Sequence, residues 1–523
     1  MTTGLVLVSL LSLVAATTTG VCSQPAPKAI IPQGTIQGFY DSSCNSVFLG
    51  IPFAATAGGQ NRWRPPQPLR ASSSLFKTET YGPTCPQAVT TKAFSKQDED
   101  CLNLNIWAPS SGENLPVFVY MYGGAMVTGS NSNPQLQGNN FARNGVICVN
   151  FNTRESMFTS PHSSELKTAH PYESQNFTFG GDPDHIVFGG HSSESVQVDH
   201  YLGNHPKTWL KGAIMMSANA VSGPPFVLLS TKLLMPFPLK LDAPTGGKGQ
   251  IECLRNIYFF SFETANFNST SNTWFTPVVD DITRFSNYTD RFAKGEYVSH
   301  VPLITGNSDG EGAVFSIVYG SENTDFKFWI KTFDADSALL SNCSLIHAYN
   351  PNDFASESLR SGAQYGDARF NCPVDYLVDM RSKAQDTWLY RFYGKYDDVV
   401  GLPNTAPTHG TEILFFHGVN DCFDSLAGVT AAQQALVDHT HQWLVKWIKN
   451  PAAGPGWAKA SPKSGAFAKL GVPGNGLAIT VGSIDEYNRR CQTVYNHRFS
   501  HYPVVRSVRG LANKLNPQNK GEI

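Results

Sequence analysis

The stretch "HIVFGGHSSES", residues 185–195, constrains this chain more than any other. A short apolar run passes through Gly189 and Gly190 into Ser192, and residues suited to open a helix follow at once. A strand that turns into a helix within two or three residues does so through a strained, crowded elbow, which lifts the central side chain above the end of a sheet. The residues two before and two after that side chain approach each other, so both are expected to be small. Gly190 meets the requirement. Glu194 does not, and Val196 behind it adds further bulk, so the elbow is expected to be crowded.

The surroundings fit a sheet built of such strands. "LPVFVYMYGG" (115–124), "NGVICVNFN" (144–152), "HIVFGG" (185–190) and "VPLITGN" (301–307) are short apolar runs bounded by turn formers, as buried parallel strands are. Residues 429–448 instead repeat Ala432, Ala435, Leu436, Leu444 and Trp447 at helical offsets. Strands alternating with helices predict an α/β domain with a mostly parallel central sheet and helices on both faces. One such domain is expected over residues 24–510, with a polar tail at 511–523.

The chain has 523 residues, of which only 15% are charged, and a formal net charge of −2. It lacks the basic field that would neutralise phosphates, so nucleic acid is not an expected partner. The apolar run Leu5–Ala16 is too short to span a bilayer but suits the core of a secretory signal, read here as residues 1–23. Four Asn-x-Ser/Thr sequons, at Asn176, Asn268, Asn287 and Asn342, agree with an extracellular glycoprotein. Removal of residues 1–23 takes Cys22 with it and leaves an odd number of the ten cysteines, hence one unpaired thiol. No Cys-x-x-Cys pair occurs, which favours disulfides over a zinc site, and no metal or cofactor is expected.

Three further segments carry chemistry. "YMYGGAMVTGS" (120–130) follows a strand with two glycines whose N–H groups can face a developing oxyanion, joined by the N–H of Ser193. "TGNSDGEGAVF" offers one acid, Glu311, and "APTHGTEILFF" one imidazole, His409. Serine, acid and histidine follow one another along the chain in the order in which α/β-hydrolases present a catalytic triad.

Taken together these segments resemble the type-B carboxylesterases, a family of cholinesterases, secreted fungal lipases and esterases, and non-catalytic adhesion members such as the neuroligins. The likeness runs through "FLGIPFA" (48–54), "RWRPPQPL" (62–69), "DEDCLNLNIWAP" (98–109), "FGGDPDHIVFGGHSS" (179–193), "TPVVDD" (276–281), "GNSDGEG" (306–312) and "HGTE" (409–412). It implies an α/β-hydrolase fold, with Ser192 as nucleophile, His409 as general base and acid, and Glu311 orienting the imidazole. It also implies oxyanion donors at Gly124, Ala125 and Ser193, where Ala125 stands for the family's third glycine, and a disulfide between Cys85 and Cys101. Cys253 lacks its usual partner upstream, and Cys148, on a central strand, is expected as a buried thiol.

Between "VICVNFN" and "FGGDPD" the family places a long helix over the sheet. Here residues 153–178 are shorter and show no helical spacing, so the fold is expected to be eroded there. The resulting expectation is a secreted serine esterase or lipase acting on small-molecule or lipid esters through an acyl-enzyme. A non-catalytic secreted binding protein on the same scaffold is the alternative.

Overall fold

The computed structural model describes residues 22–87 except 23 and 32, then 95–159, 184–222, 249–262, 283–319, 325–333, 343–396, 406–418, 429–461 and 465–495, with residues 182, 279, 281 and 340 between them. Among the described residues fourteen strands are formed: β1 Lys28–Ile31, β2 Gly34–Gln37, β3 Phe39–Tyr40, β4 Ser46–Pro52, β5 Leu75–Lys77, β6 Asn103–Ala108, β7 Val117–Met121, β8 Ile147–Phe151, β9 Ile186–His191, β10 Gly212–Met216, β11 Leu303–Ser308, β12 Thr387–Phe392, β13 Ala466–Leu470 and β14 Thr480–Ser483.

Eleven of them make one sheet in the order β14-β13-β12-β11-β10-β9-β7-β8-β6-β4-β3, while β1, β2 and β5 form a small separate one. The centre of the large sheet, from β8 through β13, is parallel; its edges are antiparallel. All four apolar runs singled out in the sequence lie in this parallel centre.

Why these runs sit in the middle is visible in β7. Successive strand residues point to opposite faces, and both faces here are covered. Val117, Val119 and Met121 enter one apolar cluster with Val198 and Leu202 of the helix Ser193–Asn204. Phe118, Tyr120 and Tyr122 enter the other, with Leu436, Leu444 and Trp447 of the helix Ala431–Lys449. A strand buried on both sides has no polar face to show, which explains its unbroken apolar sequence. The long helix begins where Thr430 accepts a hydrogen bond from the Gln433 N–H and ends with Lys446 and Lys449 in its last turn, where cations suit the negative pole of the helix. Ala432 and Ala435, part of its repeating pattern, lie outside the fully buried stripe.

Among the described residues three disulfides are present: Cys22–Cys44, Cys85–Cys101 and Cys372–Cys491. The first joins Cys22, which the sequence reading placed in a leader, to Cys44. Cys148 is a buried thiol, whose pKa burial raises, while Cys253 and Cys343 carry no bridge. Cys422 lies outside the described residues.

Of the segment 153–178, residues 153–159 are described and are irregular apart from one short turn, Ser156–Phe158. Met157 and Phe158 pack there with Trp63, Ile251 and Phe262, and the rest of the segment lies outside the described residues. So do the sequons at Asn176, Asn268 and Asn342, the tail at 511–523 and residues 1–21. Asn287 is described, and its side chain caps the helix Tyr288–Ala293 by accepting from the Asp290 N–H. Among the described residues no helix is long and apolar enough to cross a membrane.

Candidate active site

The carboxyl ends of the parallel strands converge on one place, as ligand sites in α/β sheets do. Ser192 follows β9 directly, with φ 58° and ψ −125°, and the helix begins at the next residue. A positive φ in a non-glycine residue is strained, and here the fold enforces it by anchoring the Ser192 N–H to the Met216 carbonyl on β10 at 2.8 Å. The expected approach around the elbow is real: a Cβ added at Gly190 would lie 2.6 Å from the Glu194 carbonyl oxygen. The contact is made by the backbone of residue 194. Crowding by its side chain, expected from the sequence, does not arise, because that side chain leaves the turn and is buried beside Ser193, Glu155 and Tyr122.

Ser192, His409 and Glu311 come together. His409 Nε2 lies 2.8 Å from Ser192 Oγ, and Nδ1 lies 2.5 Å from Glu311 Oε2. Glu311 is 1% exposed, and its second oxygen accepts from the Ser308 N–H at 2.7 Å and from the Ser217 hydroxyl at 2.6 Å. A carboxylate with both oxygens engaged cannot swing away from the ring. The imidazole is also held by packing, between Phe315 and Phe370 with ring centroids 5.2 and 4.5 Å away. His191 contributes a third ring at 4.5 Å, and its own burial holds its pKa well below the ordinary value, so it stays uncharged beside His409.

Several of these partners had no role in the sequence reading. Glu412, the last residue of "HGTE", is fully buried; its carboxylate oxygens lie 2.8 Å from Ser217 Oγ and 2.6 Å from Ser308 Oγ. Burial, reinforced by the neighbouring Glu311 charge, pushes its pKa up to about 7. Ser217 thus ties two carboxyl groups into one network. The "HGTE" match was the only sequence signal for it, and nothing in the sequence paired it with Ser217.

The glycine loop after β7 closes over the serine. A Cβ at Gly123 would stand 2.9 Å from that of Ser192, and one at Gly124 would collide with the Thr128 carbonyl. Ala125 and Met126 follow with φ of 57° and 63°. The loop is held from behind by Gln87, whose amide pairs with both the N–H (2.9 Å) and the carbonyl (2.7 Å) of Gly129 and accepts from the Thr128 hydroxyl at 2.5 Å. Gln87 lies two residues beyond Cys85, so the Cys85–Cys101 bridge supports the loop. The three N–H groups expected to serve an oxyanion differ in state. Among the described residues those of Ala125 and Ser193 donate to no protein acceptor, whereas that of Gly124 donates to the Ser193 hydroxyl oxygen at 3.2 Å.

Glu194 bears on stability. Burial pushes its pKa from 4.5 up to about 8. The folded state therefore keeps the proton longer than the unfolded chain, and stability is lost as pH rises from about 4.5 towards about 8. A Glu194→Gln variant, which cannot ionise, is expected to raise Tm at pH 8 by more than at pH 5, for a difference of a few kcal/mol. Thermal unfolding at the two pH values measures it, and equal shifts would contradict the assignment.

The carboxylesterase family pattern matches residues 25–159 and 175–490, and it breaks off across most of the segment in which the sequence shows no helical spacing. Fumonisin B1 esterase of Sphingopyxis macrogoltabida is 26% identical over 396 residues, covering 71% of each chain. Para-nitrobenzyl esterase of Bacillus subtilis is 26% identical over 448 residues, covering 79% of this chain and 87% of that one. A solved PNB esterase structure superposes with a TM-score of 0.73 at 20% identity, over 90% of this chain and all of the other. With its hydrolase sheet and a family match across most of its length, the chain belongs to the type-B carboxylesterase family, whose members it joins as a carboxylic ester hydrolase.

Proposed function

We propose that this is a secreted serine carboxylesterase that cleaves small-molecule or lipid esters through an acyl-enzyme. The observation that carries the reading is the unbroken chain of hydrogen bonds from Glu311 through His409 to Ser192. In this reading His409 Nε2 takes the Ser192 proton as Oγ attacks the ester carbonyl, and Glu311 stabilises the imidazolium that forms. The tetrahedral oxyanion is held by backbone N–H groups of the glycine loop and of Ser193. Collapse expels the alcohol, which leaves with the proton from His409. Water then repeats the sequence on the acyl-serine, releasing the acid and restoring Ser192.

The relatives support the substrate class through their names, which specify fumonisin B1, para-nitrobenzyl and chlorogenic acid esterases. Export is supported by the apolar run at residues 5–16, by the three disulfides and by the sequons. A fungal relative, 33% identical over 196 residues, is itself described as a secreted lipase.

A fluorophosphonate probe tests the nucleophile directly. Phosphonylation is expected at Ser192 alone, located by peptide mass spectrometry, and Ser192→Ala protein is expected to take up none. Labelling at another serine, or equal labelling of both proteins, would overturn the reading.

A further inference from the structure

The Ser193 side chain occupies one of the candidate oxyanion donors. Its hydroxyl oxygen, in a residue only 7% exposed, accepts from the Gly124 N–H at 3.2 Å and from the Met126 N–H at 3.2 Å. Its proton is donated to Glu194 Oε2. That oxygen is thus placed as a bound oxyanion would be with respect to one of the three expected donors. We infer that Ser193 is a built-in plug of the oxyanion hole, held in place by Glu194 and displaced only as charge develops on the substrate carbonyl oxygen. The inference rests on the reading of Ser192 as nucleophile.

The chemistry follows from what competes for one N–H group. A neutral hydroxyl and a neutral ester carbonyl are acceptors of similar strength, so the Michaelis complex gains little by displacing Ser193. An oxyanion is a much stronger acceptor, since bonds to charged groups are about twice as strong as neutral ones. Displacement therefore comes late and subtracts from the stabilisation the hole can give. Glu194 makes the plug directional. By accepting the Ser193 proton it leaves the hydroxyl lone pairs facing the glycine loop, and it is itself fixed by burial. Glu194 is in this sense a positioning residue acting through Ser193. The glycine loop contributes through the left-handed backbone at Ala125 and Met126, next to the two N–H groups that Ser193 Oγ receives.

The test uses the full-length protein with para-nitrophenyl butyrate as substrate and a trifluoromethyl ketone as oxyanion-forming inhibitor. Loss of one donor from such a hole costs about 10²–10³ in kcat, so freeing Gly124 by Ser193→Ala is expected to raise kcat by roughly 10-fold. The inhibitor is expected to tighten by a similar factor while KM moves by less than about 2-fold, because the gain is confined to the charged state. Glu194→Ala is expected to raise kcat in the wild-type background and to add nothing to Ser193→Ala, since coupled residues are not additive. Ser193→Gly, with Tm measured alongside, serves as the second variant that removes the hydroxyl.

An unchanged or lower kcat in both residue-193 variants, with inhibitor affinity unchanged, overturns the plug. Equal effects of Glu194→Ala with and without Ser193 overturn the positioning role. Ser192→Ala, run in the same assay, separates the two readings. If it is inactive while Ser193→Ala matches wild type, only the plug fails; if no protein hydrolyses the ester, both fail. Turnover by Ser193→Ala where wild type is silent would be the strongest support.

Discussion

Ser192→Ala protein is expected to hydrolyse short-chain esters between 10⁴- and 10⁶-fold more slowly than wild type. The loss is this large because, on the proposed mechanism, the hydroxyl is the bond-forming atom, and nothing described within the site can substitute for it. Ser193 is adjacent, but its oxygen is committed to the glycine loop and its proton to Glu194. What survives is the contribution of substrate binding and of the backbone donors, which in serine hydrolases amounts to roughly 10³–10⁴ over water. The effect is confined to kcat, since the side chain is small and the ester's ground-state contacts lie elsewhere. Burst kinetics with a chromogenic ester measure it: wild type should release one equivalent of chromophore rapidly, and the variant none. A variant within tenfold of wild type would remove Ser192 from the reaction.

Glu311→Gln is expected to cost about 10⁴-fold in kcat with little change in KM, the scale seen when a triad carboxylate is made neutral elsewhere. The residue is isosteric and its surroundings are polar, so the fold should persist. The Ser308 N–H and Ser217 hydroxyl can still donate to the amide oxygen. The second atom facing His409 Nδ1, however, becomes an NH₂ group, a donor where an acceptor stood. The imidazole must then carry its proton on Nε2, the atom that has to accept the Ser192 proton. A loss of only a few fold would show that Glu412, through Ser217, supplies the missing charge, and the Glu311→Gln, Glu412→Gln pair would then be required to abolish turnover.

Much of this was readable in the chain because it is local or periodic. β7, β8, β9 and β11 announce themselves as apolar runs bracketed by turn formers, and the elbow is a strand ending in Gly189, Gly190 and His191 with the serine directly after it. The order of Ser192, Glu311 and His409 is likewise a property of the linear sequence. The signatures "RWRPPQPL" and "DEDCLNLNIWAP" matched as strings, but their physical content appears only in three dimensions: Arg62 and Glu99 form a buried two-bonded ion pair, at 2.5 and 2.6 Å. Pairs that join short polar residues across long separations left no trace. Ser217 meets Glu311 and Glu412 over intervals of 94 and 195 residues, and no periodicity encodes such a meeting. The Cys22–Cys44 bridge was hidden for a different reason, because the sequence reading assigned Cys22 to a leader. The crowding assigned to Glu194 failed because side-chain volume was counted without direction; the backbone of that residue is close to Gly190, and its carboxyl is not.

The amide of Gln87 has a consequence for anyone wishing to alter what this enzyme accepts. It links the Cys85–Cys101 ring to the ceiling formed by residues 123–129, gripping Gly129 from both sides. On the proposed mechanism, the height of that ceiling above Ser192 would limit how thick an acyl group fits beneath it. Remodelling for bulkier acids would therefore start at position 87, well away from the reacting atoms, where a shorter side chain would let the roof lift without disturbing the proton relay below.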